Sequence, residues 1–321
     1  MTALASGNRR SGASHPPERR RATDDSLPRT RQGSPSSLLL TLFGDYWFER
    51  PEPLPSAALV SLLGDFGVSE AAARTALSRM VKHRLLLPSR AGRNTGYRLT
   101  ARTVGVLRDG LARIVAFGGD ERHWDGSWSL VVVDDGPLSR SLRDAVRTRM
   151  EWLGFARLLD GIWLSPWDRH AAALDELASL GVDDVTTLIA RVPAELPGRR
   201  RPEEAWDLVG LASRYEDFIA RATRHRDALD SGTMDPVDAL VHRTKLTDEW
   251  LALTNSDPDL PSELLPPDWP REVARTVFVG THEALGARAV ERVMAAIRAI
   301  DPALADYVLD RSFRGDLASR N

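Results

Sequence analysis

The chain has 321 residues, 42% hydrophobic and 27% charged, which suits about two or three globular domains of ~100–200 residues each. It contains no cysteine, which excludes disulfides, thiolate metal sites and cysteine nucleophiles and fits a reducing cytoplasm. No apolar run reaches the ~18 residues that a membrane span needs, and the net charge of -2 hides a division. Residues 1–118 carry 18 Lys and Arg against 9 Asp and Glu, whereas residues 119–321 carry 25 against 36. A basic front and an acidic back is the pattern of a chain whose N-terminal part meets a polyanion. Lys82 and Lys245 are the only lysines, so Arg abundance reflects codon bias as much as function. The placement of each Arg therefore matters more than the number.

In chain order, residues 1–34 are rich in Arg, Ser, Pro and Gly, and are expected to form a disordered tail because they cannot bury enough surface to offset chain entropy. The tail has no apolar stretch of the kind a secretory signal carries. SSLLLTLFGDYW (36–47) and SAALVSLLGDF (56–66) place leucines at helical spacing, with Ser56 expected to cap the second helix. Gly67 breaks the chain, and Ser69 with Glu70 opens a third helix running to about His83. LLLPSRAGRNTGYRLT (85–100) reads as a strand, a loop containing Gly92 and Gly96, and a returning strand. TARTVGVLRDGLARIVAFG closes this first unit, residues 35–118, as another helix.

The next unit, residues 119–195, changes rhythm. WSLVVVD is a buried strand, SRSLRDAVRTRMEWLG an amphipathic helix, and ARLLDGIWLSP two short strands hinged at Asp160-Gly161. HAAALDELASLG is a second helix and DVTTLIARV a last strand. This βαββαβ order predicts a ferredoxin-like sandwich. PAELPGRRRPEE is a linker whose Arg199, Arg200 and Arg201 are read as solvated. Residues 196–321 are then a helical domain interrupted by DPDLPSELLPPDWP. The whole is an α+β, multi-domain chain.

Three helices with a short turn before the third, followed by a hairpin, describe a winged helix-turn-helix. The faces of the third helix test this reading. Val68, Ala72, Ala73, Ala76, Leu77 and Met80 fall on one side and are expected to pack inward. Glu70, Arg74, Thr75, Ser78 and Lys82 project outward, with Arg79 at the border. Small side chains let a backbone approach the major groove, and Arg bonds guanine O6 and N7 bidentately. Arg93 and Asn94 sit at the wing tip, in reach of phosphates or a minor groove. Tyr97 is either a further DNA contact or the anchor that packs the wing on its domain.

VSEAAARTALSRMVKHRLLLPSRAGRNTGYRLT resembles the N-terminal winged helix of the PaaX family, repressors of phenylacetic acid catabolism related in this domain to GntR-type regulators. WSLVVVDDGPLSRSLRDAVRTRMEWLGFARLLDGIWLSP is similar to that family's ferredoxin-like middle domain. AWDLVGLASRYEDFIAR and DPDLPSELLPPDWP are similar to its C-terminal domain. The resemblance spans about residues 36–300. It implies a homodimer on double-stranded operator DNA, released by an acyl-CoA such as phenylacetyl-CoA. By position, Arg74 and Arg79 match the family's third-helix arginines, and Gly92, Arg93, Tyr97 and Leu99-Thr100 match its wing. The resemblance implies no cofactor and names no effector-binding residue. One segment departs: where the family carries something like His-Glu-Tyr-Arg-Arg, this chain has Asp248, Glu249, Trp250, Leu251 and Ala252. Two arginines that would meet an anionic phosphate are thereby lost.

Two rival readings come from other classes. Asp134 and Asp135 end the first strand of the middle unit, where a metal-dependent nuclease of this fold carries an acid. Adjacent strand residues point to opposite faces, however, and make a poor chelate. An acidic helical half that docks a protein partner is the other reading. The seven histidines form no HExxH pair, GTHEALG fits neither the dinucleotide nor the P-loop fingerprint, and no GxSxG occurs. The chain is therefore expected not to be an enzyme, and no membrane partner is expected.

Overall fold

In the computed structural model, which describes residues 33–91, 94–117, 123–192 and 201–313, the chain is a mixed α+β assembly. Helix α1 (Pro35–Tyr46) begins at Ser34, whose side chain accepts the Ser37 N–H at 3.2 Å. Ser34 thus belongs to an ordered cap, although composition groups it with the tail; residues 1–32 lie outside the described residues. Leu38, Leu39, Leu42 and Phe43 are buried, and so are Ser36, Ser37 and Thr41. Burial all round makes α1 a core helix, not a surface one.

Strand β1 (Leu54–Pro55) leads directly into helix α2 (Ser56–Asp65). Ser56 is the first helical residue, not the cap: Pro55 holds the cap position and makes no side-chain bond there. The cause is tertiary, because Leu54 and Pro55 pair as a strand with Tyr97 and Gly96, and this holds Pro55 extended. Helix α3 (Glu70–Lys82), strands β2 (Leu86–Ala91) and β3 (Asn94–Leu99), and helix α4 (Ala101–Ala116) follow. Among the described residues, these strands form an antiparallel sheet of order β1-β3-β2.

Strands β4 (Ser127–Val133), β5 (Ala156–Leu159), β6 (Ile162–Ser165) and β7 (Val185–Arg191) form a second sheet, of order β5-β6-β4-β7 with every pair antiparallel. Helices α5 (Arg140–Trp152) and α6 (His170–Ser179) complete the β-α-β-β-α-β succession. Strand alternation divides β4. Val131 and Val133 join Val146, Met150, Trp163 and Leu177 in a core under the helices. Trp128 and Leu164 face the other way, onto Leu260 and Leu264. The β5–β6 turn needs Gly161 at φ 73°, where a Cβ would collide with the Val133 carbonyl oxygen.

The rest is helical: α7 (Leu208–Asp230), α8 (Pro236–Ser256) and α9 (Arg271–Arg298), with 3-10 turns at Pro202–Ala205, Ser262–Leu264 and Pro302–Tyr307. No described helix is long and apolar enough to cross a membrane. One apolar core unites the two ends of the chain: Leu39, Phe43, Leu59, Leu77 and Met80 pack with Leu240, Leu285, Val293 and Ile297. Polar contacts reinforce the join. Asp248 of α8 accepts from Ser37 Oγ at 2.7 Å and the Gly33 N–H at 3.0 Å. Arg292 of α9 pairs with Asp65 of α2 at 2.8 Å.

Candidate nucleic-acid interface

Helix α3 owes its start to Ser69, which is extended and accepts the Ala72 N–H at 3.3 Å. Glu70 lies in its first turn and Arg79 and Lys82 in its last, each sign placed where it complements the helix dipole. Ala73, Ala76, Leu77 and Met80 are buried against the first core, and Val68 packs on it half-buried. Ala72, expected inward, is exposed. Helical phase turns Ala72 about 100° away from Ala73, off the edge of the Ala73, Ala76, Leu77 and Met80 stripe, which is narrower than predicted.

Glu70, Arg74, Thr75, Ser78, Arg79 and Lys82 are all exposed on the opposite side of α3. Arg79, predicted at the border, is exposed at the flank of the buried stripe. Arg74 donates from Nε and Nη2 to a single Glu70 oxygen, at 2.9 and 2.7 Å. With the two side chains 59% and 66% exposed, such an i,i+4 pair is worth only ~0.3–0.5 kcal/mol. Arg74 is therefore readily released to a stronger anionic or base partner. Thr75 turns its hydroxyl onto the Ala71 carbonyl at 2.8 Å. Ser78, Arg79 and Lys82 make no side-chain hydrogen bond or ion pair among the described residues.

The angle between α3 and the hairpin is fixed by backbone that the sequence does not advertise. Arg84 adopts φ 57°, a left-handed conformation uncommon for a residue with a Cβ. Leu85 N–H then closes onto the Met80 carbonyl at 2.8 Å. Thr100 Oγ1 donates to the Arg84 carbonyl at 3.0 Å, and Thr103 Oγ1 to the Leu85 carbonyl at 2.9 Å. The Arg84 side chain is exposed, as expected of surface charge, but its backbone carries the turn.

Gly96 does not lie in the loop, as predicted, but inside β3, opposite Ser89 on one side and Pro55 on the other. Tyr97 is half-buried and packs on the first core, the geometry of a wing anchor. Arg93 lies outside the described residues. Asn94 opens β3 opposite Ala91, with its side chain outside the description. The structure thus brings Arg74, Thr75, Ser78, Arg79 and Lys82 onto one face and turns Tyr97 toward the core. It does not position Arg93 or the Asn94 side chain.

The divergent segment 248–252 is absorbed by packing. Asp248 holds α1, Glu249 pairs with Arg221 at 3.1 Å, and Trp250 is fully buried with its ring 5.1 Å from that of Phe278. Beside it, sequence inspection missed a polar cluster between α1, α8 and α9. Arg243, fully buried, donates to Asp310 and to the Arg311 carbonyl, both at 2.7 Å, and lies 5.4 Å from the Tyr46 ring centre. His282 Nε2 lies 3.7 Å from Asp45. Burial, and next the Arg243 charge, hold its pKa below the usual histidine range.

Asp134 closes the turn after β4 by accepting the Gly136 N–H at 3.2 Å. Among the described residues no set of three or more His, Asp or Glu is placed to hold a metal ion.

Three family models match in chain order: "PaaX-like protein" over residues 34–103, "PaaX protein central Cas2-like domain" over 121–203, and "PaaX-like protein C-terminal domain" over 206–295. The "Transcriptional repressor PaaX" of Escherichia coli (strain K12) is 30% identical over 265 residues, 80% of this chain and 82% of that protein. A solved structure, "Uncharacterized protein Rv0674 from Mycobacterium tuberculosis", superposes with a TM-score of 0.53 at 26% identity, covering 82% of this chain and 98% of that one. With three consecutive models matched and a relative aligned over four-fifths of its length, this chain belongs to the PaaX family.

Proposed function

We propose that the chain is a sequence-specific DNA-binding repressor, not an enzyme, that acts in the cytoplasm as a homodimer and leaves its operator on binding an acyl-CoA such as phenylacetyl-CoA. The observation that carries the DNA-binding reading is the face of α3: three cations and two small hydroxyl residues, all exposed beside Glu70, on a helix whose other side packs into the core through Ala73, Ala76, Leu77 and Met80. In this reading α1–α3 and the β1-β3-β2 sheet are a winged helix, the β2–β3 hairpin is its wing, and the β4–β7 unit is a ferredoxin-like sandwich.

Arg74, Thr75, Ser78 and Lys82 meet base edges and adjacent phosphates, and Arg79, at the border of that face, reaches a phosphate or braces the fold. Arg93 and Asn94 extend the contact from the wing, and Tyr97 anchors it. Release of counterions by these cations makes binding fall steeply with salt. Two-fold symmetry of a dimer calls for two half-sites about 34–36 Å apart, or a multiple of that. The relative's role as a repressor supports the sign of regulation. Acyl-CoA release and the dimer are inferred from the family resemblance, and release requires that the ligand favour one of two conformations.

Gel shifts and footprints on the DNA upstream of the chain's own gene test the proposal. The expected result is a preferred segment with two related half-sites, vacated on addition of phenylacetyl-CoA. Equal affinity for that DNA and for scrambled sequence would end the reading. A preference that persists at saturating acyl-CoA would remove only the effector.

A further inference from the structure

The α5 side of the β4–β7 unit carries a cleft that the DNA-binding reading does not use. It encloses about 340 Å³ between α5, the turn after β4 and the strands β5 and β6. Arg140, Arg143, Arg147 and Arg157 line it above an apolar floor that includes Val146 and Trp163. Its negative lining residues are Asp135 and Asp144, so the cations outnumber them. Two of the arginines are satisfied at one end: Arg147 pairs with Asp144 at 2.9 Å, and Arg157 with Asp160. Arg143 donates Nη1 to the Leu138 carbonyl at 2.7 Å. Arg140 has no side-chain partner among the described residues.

Carboxylates pair two of the four guanidinium groups, whereas Arg140 and Arg143, which have no carboxylate partner among the described residues, repel one another unless an anion sits between them. The local fold adds to that repulsion. The first turn of α5 holds no acid but Arg140 and Arg143, where the positive end of a helix dipole favours carboxylates. Guanidinium groups bind phosphate oxygens bidentately, and the volume lies in the range of small-ligand sites.

We infer that this cleft binds the phosphates of a small pyrophosphate-bearing organic ligand. A DNA backbone is the less favoured occupant. Residues 119–321 carry 25 Lys and Arg against 36 Asp and Glu, a field that repels a long polyanion, whereas a small anion meets only the local cations. A nucleotide and a coenzyme A thioester present the same phosphate chemistry. Coenzyme A would make the cleft the phosphate subsite of the proposed effector, a link that rests on that reading; the anion site itself does not.

Calorimetric titration of the full chain with inorganic pyrophosphate, ADP and coenzyme A tests the assignment. Pyrophosphate should bind once per chain, more weakly as salt rises, and at least one of the organic ligands should bind more tightly. Arg140→Glu and, separately, Arg157→Ala should each weaken pyrophosphate by about tenfold or more. Melting temperature and DNA affinity without ligand should stay unchanged. Preference for coenzyme A joins the site to the effector, and preference for ADP defines a separate nucleotide input; both support it. No heat with any of the three ligands, wild-type affinity in both variants, or loss of DNA affinity without ligand would overturn it. A chain that binds pyrophosphate but no specific DNA would instead sink the repressor reading and leave this site standing.

Discussion

A methyl group at position 96 would sit 2.9 Å from the Pro53 Cβ and 3.1 Å from the Leu54 carbonyl oxygen. Gly96→Ala should therefore cost ~1–3 kcal/mol, the usual range for overpacking, and displace the β2–β3 hairpin. Urea unfolding of the variant checks this, and an unchanged midpoint would mean that β1 does not press on β3. The role of Gly96 is illegible locally, because its partner is a two-residue strand some forty positions upstream. A Gly beside Asn and Thr reads as loop. The roles of Arg84, Thr100 and Thr103 are hidden for a similar reason, since each acts through backbone groups that sequence pattern does not encode. Arg243 misleads in the opposite direction. Set between His and Thr on a helix it reads as surface charge, yet it is fully buried beside Asp310 and Tyr46. By contrast, the exposed face of α3 is legible apart from Ala72, because helical periodicity fixes which side the leucine and methionine take.

At the scale of elements, long periodic segments declare themselves and short strands do not. Helices α3, α5 and α7 follow from apolar spacing, whereas β1 exists only because β3 offers it a ladder. The α7–α8 contact also carries a pH dependence. His225 and His242 stack with ring centres 3.7 Å apart. Burial, and next the His242 charge, push His225 down to about 4, and burial also lowers His242. Arg221, Arg224 and Lys245 oppose protonation of the pair, and Asp238 favours it. The folded state thus binds fewer protons than the unfolded chain below its ordinary histidine value of 6.5, so stability should be complete above that value and fall as pH drops toward 4. Lowered His282 acts in the same direction. Melting curves across this window should slope less steeply in His225→Phe, which keeps a ring but cannot titrate. An identical slope would show that the pair is not the source.

The whole molecule is fused at its two ends. Leu39, Phe43 and Leu77 share a core with Leu240, Leu285 and Ile297, so a fragment ending at residue 118 would expose apolar surface now covered by α8 and α9. Such a fragment should unfold without a cooperative transition, and a sharp sigmoid from it would contradict the shared core. This fusion is the part of the architecture that the sequence reveals least. Pattern assigns the helices of each end correctly but cannot say that α1 and α9 contribute to one interior. The shared core also joins the C-terminal helices to α3 by way of α1 and α2. The claim that matters most is that the exposed face of α3 selects DNA sequence, and one comparison tests it directly. The affinity of the full chain for its own upstream DNA, relative to scrambled DNA, is measured for wild type and Arg74→Ala. The account predicts a clear preference in the wild type and a loss of roughly 5- to 150-fold in specific affinity in the variant, or ~1–3 kcal/mol for a lost bidentate base contact. Scrambled-DNA affinity should change far less and the melting temperature not at all. No preference in the wild type, or the same preference in Arg74→Ala, would contradict it.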